Sequence, residues 1–169
     1  MDWWLVIAAV VVGASLFQGG SAVSGGGRMN AQVFLANLET MKGWKYSLGA
    51  GLPGEKSSPP YTDCGEFIRR GLQLSGVDGV PRNITGQVEA APFTKNVLGW
   101  SREQLLAELK PGDCIAYKWP SGGFPGRPYD HGEVYKGNSK NIHASSSKGE
   151  VTDVSVPSSG HKTIYSWVR

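Results

Sequence analysis

The apolar positions of the chain change their period once. From Asn30 to about Leu109 they recur at helical spacing, and beyond Pro111 they fall into short runs and alternations. Asn30 is placed to cap a helix that carries Val33, Phe34, Leu38 and Met41 on one side and stops near Gly43. A second helix follows Asp63, with Phe67, Ile68 and Leu72 as its apolar face, and a weaker one covers Ile84 to Ala90. Ser101 and Gln104 have the spacing of a capping box ahead of the stripe Leu105, Leu106 and Leu109. Pro111-Gly112-Asp113 is a turn. After it come five strand-like segments, Cys114–Trp119, Gly132–Tyr135, Asn141–Ala144, Val151–Val156 and Thr163–Val168, each bounded by Gly, Ser, Asn or Pro. Tight links between them imply antiparallel neighbours. Helices first and a meander second predict an α+β domain with the helices on one face of the sheet.

Within that pattern, Tyr61-Thr62-Asp63-Cys64-Gly65-Glu66-Phe67-Ile68-Arg69-Arg70 combines structure with reactive chemistry. Asp63 reads as an N-cap and Glu66 as its capping-box partner. Cys64 then stands in the first helical turn, where the positive end of the helix favours a thiolate, the nucleophilic form. The bland alternative is a small buried hydrophobe, the usual state of a free cysteine. Catalysis also needs a base from elsewhere in the chain. The three histidines are His131, His143 and His161. A turn around Gly137–Lys140 would bring His131 and His143 together on neighbouring strands, one ring taking the thiol proton and the other accepting the Nδ1 proton of the first. On a strand Glu133 points to the same side as His131. His161, after Pro157-Ser158-Ser159-Gly160, reads as a solvent-exposed turn residue.

Composition narrows the picture. A chain of 169 residues with net charge +3 is one domain with room for an appendage, and its basic residues are scattered, which argues against nucleic acid as a partner. The two cysteines, Cys64 and Cys114, do not make a disulfide scaffold, and Cys114 reads as a buried strand residue. Cys64, Cys114, His131 and His143 lack the paired spacings of a structural zinc site, so neither metal nor cofactor is expected. The first 18 residues are an apolar segment, residues 19–28 a Gly/Ser-rich linker, and the domain covers 29–169. The apolar run Trp3–Phe17 is short for a membrane span, lacks the positive start of an export signal because Asp2 stands there, and is followed by Arg28. It reads as a signal, as a membrane contact, or as a helix packed on partner subunits of a virion.

These motifs together resemble the NlpC/P60 family of papain-like cysteine peptidases, which cut peptidoglycan stem peptides. Asp63-Cys64 is similar to the family's Asp-Cys pair before Ser-Gly-aromatic, and Leu109-Lys110-Pro111-Gly112-Asp113 to its Leu-x-Pro-Gly-Asp turn. Val80-Pro81-Arg82 with Gln87 resembles its Pro-Arg-x-x-x-x-Gln segment. His131–Gly137 resembles its His-Val-Gly-Ile-Tyr-x-Gly strand, Ile142-His143-Ala144 its Ile-His-Ala segment, and Tyr46 the tyrosine before its glycine pair. The resemblance implies Cys64 as nucleophile, His131 as base, His143 as its orienter, and Tyr46 with the Cys64 amide as oxyanion donors. Two places depart from the pattern: Gly65-Glu66 stands for Ser-Gly, and Gly132-Glu133 for Val-Gly. They flank the nucleophile and the base, so Asp63, Gly65, Glu66 and Glu133 are assigned to substrate binding.

The expected function is therefore hydrolysis of a stem-peptide amide, in the family the bond between D-glutamate and the diamino acid. The rivals are an N-acetylmuramoyl-L-alanine amidase or acyltransferase using the same triad, and a non-catalytic virion or wall-binding protein. The N-terminal run and the linker point to a phage-type hydrolase carried on a virion and acting at the bacterial wall, with a secreted or membrane-anchored enzyme as the alternative.

Overall fold

The computed structural model describes residues 29–52, 56, 60–119 and 124–169. The apolar segment and the linker, with the expectations placed on them, lie outside those residues. Caps set the helices where local sequence asks for them. Asn30 accepts from the amides of Gln32 and Val33 and starts α1 (Ala31–Glu39). Asp63 starts α2 (Cys64–Leu74), and Asn83, accepting from the Gly86 amide, starts α3 (Ile84–Ala90). Ser101 and Gln104 form both bonds of a capping box ahead of α4 (Arg102–Glu108). No helix among the described residues is long and apolar enough to cross a membrane.

The sheet has eight strands: β1 (Lys45–Tyr46), β2 (Tyr61–Thr62), β3 (Phe93–Asn96), β4 (Cys114–Tyr117), β5 (His131–Gly137), β6 (Lys140–Ser145), β7 (Glu150–Ser155) and β8 (His161–Ser166). Their spatial order is β2-β1-β7-β6-β5-β4-β8-β3. The five expected strands form its centre and pair antiparallel. The β5–β6 hairpin turns through Asn138 and Ser139, both at positive φ (52° and 59°), the geometry that matches strand twist in a tight hairpin. Two short elements extend one edge, and β1 pairs with β2 in parallel.

Strand alternation divides the apolar residues between two faces. Cys114, Ala116, Val134, Ile142 and Ala144 meet Phe34, Leu38, Phe67, Ile68 and Leu72 of α1 and α2. Ile115, Tyr117, Tyr135 and Ile164 face the other way and pack with Leu105 and Leu109 at α4. The α+β architecture is as expected, but α4 covers the opposite face from α1 and α2. Its stripe is short, and helical spacing alone does not say which side of a sheet it meets. His161 departs from expectation too. It begins β8, is only 4 % exposed, and its Nε2 bonds the Trp100 carbonyl at 2.8 Å. The Gly- and Ser-rich residues before it look solvent-bound in sequence; the pairing of β8 with β4 is what draws the ring inward.

Candidate active site

Cys64 is the first residue of α2, at the open end of the helix, where its own amide has no acceptor within the helix. Asp63 fixes that end. Its Oδ1 accepts from the Glu66 amide at 2.9 Å, its Oδ2 accepts from the Gly49 amide at 2.9 Å, and the same Oδ2 is paired with the Arg82 guanidinium. Arg82 also donates to the Ala50 carbonyl, so the chain around residues 49–50 is tied to the start of α2 through one carboxylate. Both oxygens of Asp63 are thus engaged, and the side chain clamps the start of α2.

Gly65 has a steric reason. A Cβ there would overlap the Arg82 carbonyl oxygen, so α2 lies closer to the 82–83 backbone than a serine would permit. Gln87 holds the same seam, donating from Nε2 to the Gly65 and Pro81 carbonyls at 2.8 and 3.0 Å. Glu66 corrects two expectations. Its carboxylate does not close a capping box; it accepts from Arg69 and Arg70 one turn along the same helix, at 2.7–2.8 Å. It is also wholly buried, against Gly51, where a Cβ would come within 2.7 Å of Oε2, so it cannot touch a substrate.

The partner of Cys64 arrives from the sheet. His131 opens β5 beside Tyr117 of β4, and Cys64 is among the groups that act on its ring. His143 of β6 places Nδ1 2.8 Å from His131 Nε2. The two rings pair as expected, but through Nε2 of His131 rather than the expected Nδ1, which leaves Nδ1 as the ring nitrogen free to meet the sulfur. Glu133 lies below both rings, with Oε1 3.4 Å from His131 Nε2 and 3.3 Å from His143 Nδ1. Asn141 fixes the other oxygen at 2.6 Å. Sequence alternation put Glu133 beside His131, but its partners Asn141 and Tyr117 were not identified; residues 141 and 143 share a strand face, which was the available signal. Glu133 is 2 % exposed and belongs to the proton network more than to the open groove.

The electrostatics separate the two rings. Burial works to lower the pKa of His131, but its interactions with Cys64 and Glu133 outweigh it and push the value up to about 10. Burial pulls His143 down to about 4; Glu133 opposes this and the charge on His131 assists it. His131 is therefore the charged ring and His143 the neutral one, so His131 donates Nε2–H to Nδ1 of His143. Burial tends to raise the pKa of Glu133, and the charge of His131, with the Asn141 hydrogen bond, reverses this. Burial and the Glu133 charge push the Tyr117 phenol well up, which keeps it a neutral neighbour.

A groove runs past the sulfur in two halves that share Leu48, Phe124 and Asp130. One half, about 190 Å³, is lined by Cys64, Arg82, Ile84, Arg127 and Tyr129. The other, about 520 Å³, is lined by Tyr46, Trp119, His131, His143 and Ser145–Ser147. Tyr46 of β1 is half-buried there. Burial, with the charges of Cys64 and Asp63, raises its phenol to about 12, so the hydroxyl keeps its proton and remains a donor. Among the described residues, His131, Glu133 and His143 are the group with metal-ligand character. Cys114 is free, fully buried in β4 and absent from that group.

No family model and no curated protein matches the sequence. Solved structures do match. The NlpC/P60 domain of the peptidoglycan hydrolase SagA is 23% identical, with a TM-score of 0.59 over 81% of this chain and 98% of that one. The P60 domain of an antigen from M. avium subspecies paratuberculosis is 24% identical, with a TM-score of 0.60 over 82% and 95%. The peptidoglycan hydrolase RipB from Mycobacterium tuberculosis is 24% identical, with a TM-score of 0.62 over 82% of this chain and 65% of its own. With four helices around a sheet whose central strands carry both histidines and whose second helix opens on the cysteine, this chain has the papain-like fold of NlpC/P60 domains.

Proposed function

We propose that the chain is a cysteine peptidase that hydrolyses an amide of the peptidoglycan stem peptide. The observation that carries this is the relay Cys64–His131–His143, assembled from a helix start and two adjacent strands. The peptidoglycan hydrolases among the similar structures support the substrate class. His131 holds the proton given up by Cys64, and the sulfur attacks the amide carbonyl. The oxyanion forms beside the Cys64 amide and the Tyr46 hydroxyl, two donors aimed at developing negative charge. His131 then protonates the leaving amine, the acyl thioester forms, and the same ring activates the water that releases it. His143 keeps Nε2 of His131 engaged through these transfers, so the ring presents Nδ1 to the sulfur throughout.

The bond between D-glutamate and the diamino acid is the expected target, with an amidase bond as the rival. The bacterial cell wall is the place of action in this reading. A virion carrier draws no support from the similar structures, and the N-terminal run on which it rested is outside the described residues. Digestion of purified sacculi followed by mass analysis of the fragments tests the proposal. Peptides ending in D-glutamate, absent with Cys64→Ala, are the expected result. Free stem peptides would replace the endopeptidase by an amidase, and an unaltered sacculus would leave a wall-binding protein.

A further inference from the structure

Three donor atoms converge beneath the groove: Nε2 of His131, Nδ1 of His143 and Oε1 of Glu133. Their separations are 2.8, 3.4 and 3.3 Å. A four-coordinate zinc ion holds nitrogen and oxygen ligands at about 2.0–2.2 Å, which sets neighbouring ligands about 3.3 Å apart across a tetrahedral angle. Two edges of the triangle already have that length. The third needs the rings to part by roughly half an ångström. Asn141 holds the second carboxylate oxygen at 2.6 Å, the kind of outer contact that orients a ligand in advance. The three residues also line the larger half of the groove, together with Tyr46 and Ser145. The carboxylate is what turns a histidine pair into this set, and it stands where the resembling family has glycine.

We propose that His131, Glu133 and His143 form a binding site for a transition-metal dication of the zinc class, and that its occupancy switches the hydrolase off. The switch rests on the function proposed above; the site does not. The metal takes the lone pair of His131 Nε2, whose proton leaves to the buffer. The remaining ring proton stays on Nδ1, facing the sulfur; giving it up would leave an anionic ring, so the ring no longer shuttles a proton to the leaving amine or from water. His143 Nδ1 is occupied as well and no longer orients its neighbour. No electron is transferred, and removing the metal restores the relay.

The test uses the full chain stripped of metal by a chelator. Calorimetric titration of Cys64→Ala with Zn²⁺ should show one ion per chain. Adding Glu133→Gln or His143→Gln in that background should weaken binding by more than about tenfold, at least the loss known for outer contacts alone. Background is low, because the third histidine of the chain is buried on a backbone carbonyl. Circular dichroism reports whether each variant folds, and either one suffices. Co²⁺ bound to the unsubstituted chain should give visible bands without an intense thiolate charge-transfer band. No binding to Cys64→Ala, binding indifferent to both substitutions, or a strong thiolate band would overturn the site. In the unsubstituted enzyme Zn²⁺ should suppress release of wall fragments more than about tenfold, in line with loss of its base, and EDTA should restore it. Zinc bound at full hydrolytic rate would overturn the switch. A metal-free chain that binds zinc as stated and cuts no wall would overturn the functional reading and support the site.

Discussion

Glu133 Oε1 stands 3.4 Å from Nε2 of His131, beside the bond between the two histidines. Its charge is one of the forces that raise His131 to about 10, so the ring holds its proton well above the ordinary histidine range. A leaving amine needs that proton. Glu133→Gln keeps the shape and Asn141's neighbour but removes the charge. The alkaline limb of the kcat/KM profile should move to lower pH, with a loss of about ten- to a hundredfold near pH 8. A pH–rate series on both proteins checks it; an alkaline limb that stays in place would separate Glu133 from the proton transfer.

Gly65 is predicted to be intolerant, and for a backbone reason. Its missing Cβ makes room for the Arg82 carbonyl, which has nowhere to retreat because Gln87 bridges the same seam. Gly132 is tight as well, but against the Cδ1 ends of Ile84 and Ile68, which move by rotamer change. Gly65→Ser, which restores the serine of the resembling family, should destabilise by about 1–3 kcal/mol, and Gly132→Ala by less. Urea unfolding of the two variants should give that order. Equal midpoints would show that the 82–83 backbone yields after all.

The legible parts of this protein were the local ones. Caps at Asn30, Asp63 and Ser101 act within four residues of themselves, and β4 to β8 announce themselves by apolar runs between turns. The strands β1 and β2 have two residues each, too few to show a period, and exist through pairing with residues far along the chain. The site was legible as residue types, since Cys64, His131 and His143 carry chemistry in any context. What held them was not. Arg82 reaches Asp63 across nineteen positions, and Asn141 reaches Glu133 across a hairpin. Glu66 shows two local rules in competition: it fits the capping-box spacing from Asp63 and the helical pairing with Arg69 and Arg70. Two guanidinium groups win over one backbone amide, because they bring full positive charges and three N–H donors to the same carboxylate.

That outcome changes what Glu66 is expected to do. Glu66→Gln removes the charge that both arginines face while preserving volume at a buried position beside Gly51. The fold should lose about 1–3 kcal/mol, the scale of hydrogen bonds to charged groups. Turnover per folded molecule should change less than about threefold, since the carboxylate points away from the groove and into its own helix. Denaturant unfolding combined with active-site thiol titration separates the two quantities. A kcat loss beyond tenfold at unchanged stability would place Glu66 in the catalytic machinery.

The neutral ring of His143 has a consequence for stability in acid. Its folded value is about 4 against an ordinary 6.5, lowered first by burial and then by the charge on His131, with Glu133 in opposition. Between those values the unfolded chain binds a proton that the folded chain refuses. Stability therefore rises with pH across that interval, and is lost as pH falls from 6.5 toward 4. His131 adds nothing there, because its raised value leaves it protonated in both states below 6.5. The depressed carboxylates Glu39, Glu103, Glu108, Asp130, Glu133 and Asp153 give up their contributions chiefly as pH falls below their ordinary values, 4.5 for the glutamates and 3.8 for the aspartates. The span from pH 6.5 to 4.5 thus isolates His143. Urea unfolding at those two pH values should show the natural chain losing stability on acidification and His143→Gln losing distinctly less. Equal losses in the two proteins would mean that His143 takes up its proton in the folded state as readily as in the unfolded one, and that the neutral acceptor of the relay is not His143.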